Sequence, residues 1–182
     1  MQDDFDLKSL IATKKKRKNS RTKGNTFERK VCKILNEFFE TTEFIRSPGS
    51  GAFSTTHNLP EHLKFSGDLI TPRTFKYTIE CKKGYNKENL GSIFNPRSDL
   101  ISFIDQAEKD SAKINKNFLL IMQQDRKEIL CLINEKKSLA LATYAENRDH
   151  IYLHLKHGDY IICKLEDLLD ETRKYNAKHL WI

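Results

Sequence analysis

Apolar residues recur with helical spacing at Phe27, Val31, Ile34, Leu35 and Phe38, which predicts a helix starting after Gly24 with Asn25 or Thr26 as its cap. Glu28 falls on the flank of that apolar face. Residues 43–46 suit a short strand, cut off by Ser47-Pro48-Gly49-Ser50-Gly51. From there to Gly67 the chain is polar, without period, and is expected to be a long loop. Residues 68–71 predict a second short strand ended by Pro72. Residues 76–82 alternate, with Tyr77, Ile79 and Cys81 on one face and Thr78, Glu80 and Lys82 on the other. A polar loop over residues 83–97 precedes a helix from Ser98 or Asp99 to about Ile114, whose expected face is Leu100, Ile101, Ile104, Ala107 and Ala112. The apolar run 118–122 reads as a buried strand, completing a βαβ unit with 76–82. A strand at 129–133 follows the turn 124–127, and 139–146 is ambiguous between helix and strand. Residues 151–155 and 160–163 suggest a hairpin, and 165–175 an amphipathic closing helix.

The length, 182 residues, fits one domain with a single core. No apolar run approaches the ~20 residues that span a bilayer. Cys32, Cys81, Cys131 and Cys163 stand far apart inside apolar segments. That spacing excludes a zinc knuckle or redox pair and suggests an intracellular protein. The net charge is +7, and residues 1–23 carry +5 of it through Lys8, Lys14, Lys15, Lys16, Arg17, Lys18, Arg21 and Lys23 against three Asp. We therefore divide the chain into a flexible basic arm, 1–23, and one domain, 24–182. Such an arm is either a solvated tail or a contact to a phosphate backbone.

The chemistry concentrates in a few positions. Asp68 opens a strand, and twelve residues later Glu80 and Lys82 share one strand face. Two carboxylates converging at strand ends make an oxygen site for a hard cation such as magnesium. Lys82 would then orient or help deprotonate a water and offset phosphate charge. Glu28 is a candidate third carboxylate. In the loop after Arg46, Ser and Gly either form a plain connection or bring N–H and hydroxyl groups to a phosphodiester. His57 and His62 lie in the same stretch. Lys83, Lys87 and Arg97 extend a basic track, and Tyr85 is either a base-stacking ring or a local packing anchor.

Phe27-Glu28-Arg29 after Gly24, Arg46 with Ser47-Pro48-Gly49-Ser50-Gly51, Gly67-Asp68, Glu80-Cys81-Lys82 and Gln106 together resemble the PD-(D/E)xK nuclease superfamily. Within it they resemble the Holliday junction resolvases of archaea and of some phages. The resemblance spans residues 24–123. It implies an α/β fold with a restriction-endonuclease-like core, a mixed central β-sheet flanked by helices. It implies Asp68, Glu80, Glu28 and the Cys81 backbone carbonyl around Mg2+, with Mn2+ as a substitute, and Lys82 and Gln106 completing the catalytic set. Lys14, Lys15, Lys16, Arg17, Lys18, Arg21, Lys23, Arg29, Arg46, Ser47, Ser50, Lys83 and Lys87 become candidate DNA contacts. The implied activity is paired symmetric nicking of four-way DNA junctions by a homodimer. Two other functions fit the same residues: a restriction-like or DNA-repair nuclease, and an inactive DNA-binding or architectural protein. Where members usually carry Pro before the first Asp, this chain has Gly67.

Overall fold

The computed structural model describes residues 20–48, 66–95, 97–156 and 158–182. Helix α1 runs Ser20–Phe39 and buries Phe27, Val31, Leu35 and Phe38, the expected face. It begins a turn earlier than its expected cap and passes through Gly24, so Arg21 and Lys23 belong to its first turn. Lys23 is held there by Asp125, 3.2 Å away. After α1 the chain is turned back by one side chain. The Asn36 amide donates to the Phe44 carbonyl and accepts from the Phe44 N–H, at 2.9 and 3.0 Å. That clamp lays β1 (Ile45–Arg46) against the helix, where it pairs antiparallel with β2 (Leu69–Ile70).

The main sheet has five strands in the order β3 (Tyr77–Lys83), β4 (Asn117–Gln123), β5 (Leu130–Asn134), β7 (Gly158–Lys164), β6 (His150–Leu155). Strand β3 runs parallel to β4, the two joined through α2 (Asp99–Ala112) as the sequence predicts. Strands β5, β7 and β6 add antiparallel pairs. The chain is thus α/β, a mixed central sheet flanked by helices. Residues 139–146, ambiguous in sequence, form a helix, α3 (Leu139–Glu146), and α4 (Leu165–Lys174) follows β7 directly.

Strand alternation separates two cores. Tyr77, Ile79, Cys81, Leu119 and Ile121 pack with α1, α3 and α4, while Phe118, Leu120, Leu132 and Ile162 pack with α2. Both faces of β3 and β4 are covered, hence their near-continuous burial. The buried face of α2 is Phe103, Ile104, Ala107 and Ser111, and Ala112 is exposed, so the stripe expected from sequence is rotated. Phe103 joins that face within the second core, its ring centre 5.0 Å from the Lys82 ammonium. The polar loop before α2 contains a 3₁₀ turn, Leu90–Phe94, capped by Asn89. The C-terminus folds back: Lys76 N–H donates to the Trp181 carbonyl at 2.8 Å, and Trp181 joins Phe38, Phe39, Phe75 and Tyr77 in an aromatic cluster. No helix among the described residues is long and apolar enough to cross a membrane.

Candidate active site

Strand β3 is an edge strand of the main sheet, and its open side is where the acidic residues meet. Gly67 bridges Ile79 there, and the Asp68 N–H donates to the Ile79 carbonyl at 2.8 Å. The Cys81 N–H in turn donates to Asp68 Oδ2 at 2.9 Å. The N–H and carbonyl of a strand residue point to the same side, so the Cys81 carbonyl also faces Asp68. The carboxylates of Asp68, Glu80 and Glu28 are all buried.

Glu80 rises from the sheet toward α2. Its Oε1 accepts from Lys82 Nζ at 2.7 Å and from Gln106 Nε2 at 2.8 Å, and Lys82 donates to Gln106 Oε1 at 2.9 Å. A single orientation of the Gln106 amide serves both partners, so Glu80, Lys82 and Gln106 form a closed triangle. The Phe103 ring lies under the ammonium, 5.0 Å from ring centre to Nζ. Glu28 approaches from α1, on the opposite side of the sheet, and is bound by Arg46 Nε. Arg46 also donates to Asn25 Oδ1 at 2.9 Å.

The structure therefore brings Asp68, Glu80, Cys81, Lys82 and Gln106 together and sets Glu28 beside them, turned to Arg46. Among the described residues, no group of three His, Cys, Asp or Glu side chains is placed to hold a metal ion. The physical reason is that Glu28 and Glu80 arrive from opposite faces and each has a cation of its own. The donor chemistry is still that of a hard-cation site. Asp68, Glu80 and the Cys81 carbonyl offer oxygens only, and magnesium typically takes one or two carboxylates and fills its shell with water and phosphate oxygens.

The other candidates are placed as follows. Ser47 is buried, and its N–H donates to the Asp68 carbonyl at 2.8 Å. Arg29 and Lys87 are exposed. Lys83 is drawn inward to Gln123, the Gln124 carbonyl and Asp125. Lys14, Lys15, Lys16, Arg17, Lys18, Ser50, His57 and His62 lie outside the described residues. Four residues were missed by sequence reasoning. Asn25 holds Arg46, Phe103 backs Lys82, Asp125 gathers Lys23 and Lys83, and Asp110 adds negative charge near Glu80. Asp110 lies one helical turn after Gln106, and that i, i+4 spacing was the signal for it.

Burial and the neighbouring Glu80 charge push the Asp68 carboxyl up to about 7, against the Cys81 N–H and Lys82. Burial also raises Glu80, opposed by Lys82. The folded chain thus keeps a proton on Asp68 between its ordinary value of 3.8 and about 7, where the unfolded chain has lost it. Folded-state proton binding exceeds that of the unfolded state in this window, so stability falls as pH rises through it. Denaturant unfolding in chelator, at pH values on either side of the window, should show the protein weaker on the alkaline side. Asp68→Asn should remove much of that difference.

A family profile described as "Phage putative PDDEXK endonuclease" matches residues 19–180. The chain is 31% identical over 157 residues to Protein D14 of Escherichia phage T5, a match covering 83% of this chain and 92% of that protein. No solved structure matches.

Proposed function

The chain belongs to the phage PDDEXK endonuclease family, and on that premise we propose that it is a metal-dependent endodeoxyribonuclease that resolves four-way junctions. The observation that carries the hydrolytic part is the buried meeting of Asp68 and Glu80 at the β3 edge, with Lys82 bound to Glu80. Mg2+, or Mn2+ in its place, would be held by Asp68, Glu80 and the Cys81 carbonyl, with Glu28 acting through water. When bound it supplies a more acidic water and offsets charge on the phosphate.

The chain's own residues do the rest. Lys82 carries a fixed positive charge where negative charge builds on the phosphate, and it is preorganised because Gln106 and Glu80 hold it before substrate arrives. Gln106 is a positioning residue acting through Lys82. Glu28 neutralises Arg46, and the pair keeps β1 against α1, which fixes the Ser47 to Asp68 contact. The basic arm adds affinity for the DNA backbone by displacing counterions, without reading sequence.

The junction preference rests on the order of motifs from Gly24 to Lys82, and symmetric nicking on a homodimer matched to a two-fold substrate. The test is a panel of a four-way junction, a flap, a plain duplex and single strands, each in magnesium and in chelator. Paired symmetric nicks confined to the junction are expected. Cleavage across the panel would replace this reading with a restriction-like or DNA-repair nuclease. Binding that persists in chelator, with no product in magnesium or manganese, would leave a DNA-binding or architectural protein.

A further inference from the structure

Beside the carboxylates lies an apolar pocket that hydrolysis itself does not use. Its volume is about 240 Å³, its walls are Tyr85, Leu100, Phe103, Leu130 and Ile162, and Lys82 stands in its lining. Pockets for drug-sized ligands run to ~300–1,000 Å³, so this one suits a single flat ring system and is too small for a duplex. Tyr85 and Phe103 meet edge to face with centroids 4.6 Å apart, and the Lys82 ammonium is 5.0 Å from the centre of the Phe103 ring.

Tyr85 is 44% exposed, and its backbone is left-handed with φ 52°. A residue with a Cβ is disfavoured in that conformation. The loop is braced to keep it: Gln124 Nε2 donates to the Tyr85 and Glu88 carbonyls at 3.3 and 2.6 Å, and Asn86 exchanges two hydrogen bonds with Asp125. An exposed ring is therefore presented by a hydrogen-bonded loop. Strain kept in this way tends to mark a working surface.

We infer that this pocket receives one unstacked nucleobase of the strand being cut, so that the preferred substrates carry single-stranded or branch-point nucleotides. The inference rests on the reading of Lys82 as the residue facing the phosphate. The pocket shares Lys82 with the carboxylate cluster, and a single sugar separates a phosphate from its own base. An aromatic wall accepts the π-face of any base, and the Lys127 side chain in the lining offers a donor for a base edge. Taking a base out of its stack costs least where pairing is already broken, as at a branch or in a single strand. Selectivity for such substrates would follow without any reading of sequence.

The test is read by binding of the full chain in chelator, so that it does not depend on cleavage. Fluorescence anisotropy compares a short oligothymidylate with an abasic strand of the same length and therefore the same charge. The wild type should bind the base-bearing strand about tenfold more tightly or better, from the usual strength of stacking on an aromatic ring. Tyr85→Asn suits the left-handed backbone, and Leu130→Trp fills the pocket. Each should remove most of that ratio while leaving affinity for the abasic strand unchanged. Equal affinity of the wild type for both strands, no binding of oligothymidylate, or a ratio that survives in both variants would overturn the pocket. The two readings fail separately. A protein that cuts nothing yet shows the ratio rejects the nuclease reading alone, and one that cuts DNA without the ratio rejects the pocket alone.

Discussion

Glu80→Gln should lower magnesium-dependent cleavage by about 10²-fold or more, the usual loss when a preorganised charge at the reacting centre is removed. The substitution keeps the side chain's length and leaves a carbonyl oxygen for Lys82 and Gln106, so the triangle on α2 can persist while the carboxylate charge is lost. Binding of DNA in chelator should stay close to wild type, because the arm and surface lysines do not depend on Glu80. Thermal melts followed by circular dichroism check that the fold is intact. Burial works against the charged form of Glu80 and Lys82 works for it, so the two effects of neutralising it on stability oppose one another. Undiminished cleavage by a nuclease-free preparation of this variant would refute the proposed site. Loss of cleavage together with loss of fold would call for Lys82→Met, which tests the same centre from its cationic side.

Gly67→Ala should both destabilise the protein and disable it, although residue 67 carries no chemistry. Its φ is +89°, and a Cβ built there falls 2.5 Å from the Ile79 carbonyl oxygen and 3.2 Å from its carbon. Those atoms are main chain of a central contact and have little room to move. The left-handed backbone alone costs about 1–2 kcal/mol, and relieving the clash means moving β2 away from β3. That motion would carry Asp68 with it, since the adjoining Asp68 N–H is bonded to the same carbonyl. Misplacement by about 1 Å can cost 10²-fold in rate. Gly84 supplies the control: its φ is +101°, but nothing lies within 4 Å of a Cβ built there. Gly84→Ala should show only the backbone penalty in denaturant unfolding. Equal effects at the two positions would mean that the approach to Ile79 is not what positions Asp68. The same geometry accounts for the absence of Pro before Asp68, because a Pro ring holds φ near −65° and cannot adopt the observed value.

Local pattern carried much of this architecture. The helical period from Phe27 to Phe38, the alternation through Tyr77, Ile79 and Cys81, and the apolar run in β4 each follow from one residue type repeated at one spacing. These elements therefore lie close to where the sequence places them. Burial of alternate faces by different helices also follows, because a βαβ unit must cover both sides of a parallel pair. Residues 139–146 fit either period because the apolar run is short, and packing against the sheet and α4 makes them a helix.

Residue type and spacing are enough for the fold class and for the groups available for chemistry: a Gly-Asp, a Glu and Lys two apart on a strand, and a Gln on the following helix. Tertiary structure alone decided which of them meet. The face of α2 turned so that Phe103 covers the Lys82 ammonium and Gln106 reaches Glu80. Arg46 turned inward to Glu28, and Lys83 was gathered by Asp125 rather than left on the surface. No spacing rule encodes these outcomes, because ion pairs and ring contacts between residues 18 to 42 positions apart depend on how helices are rotated against the sheet. That rotation is set by the packing of the whole core.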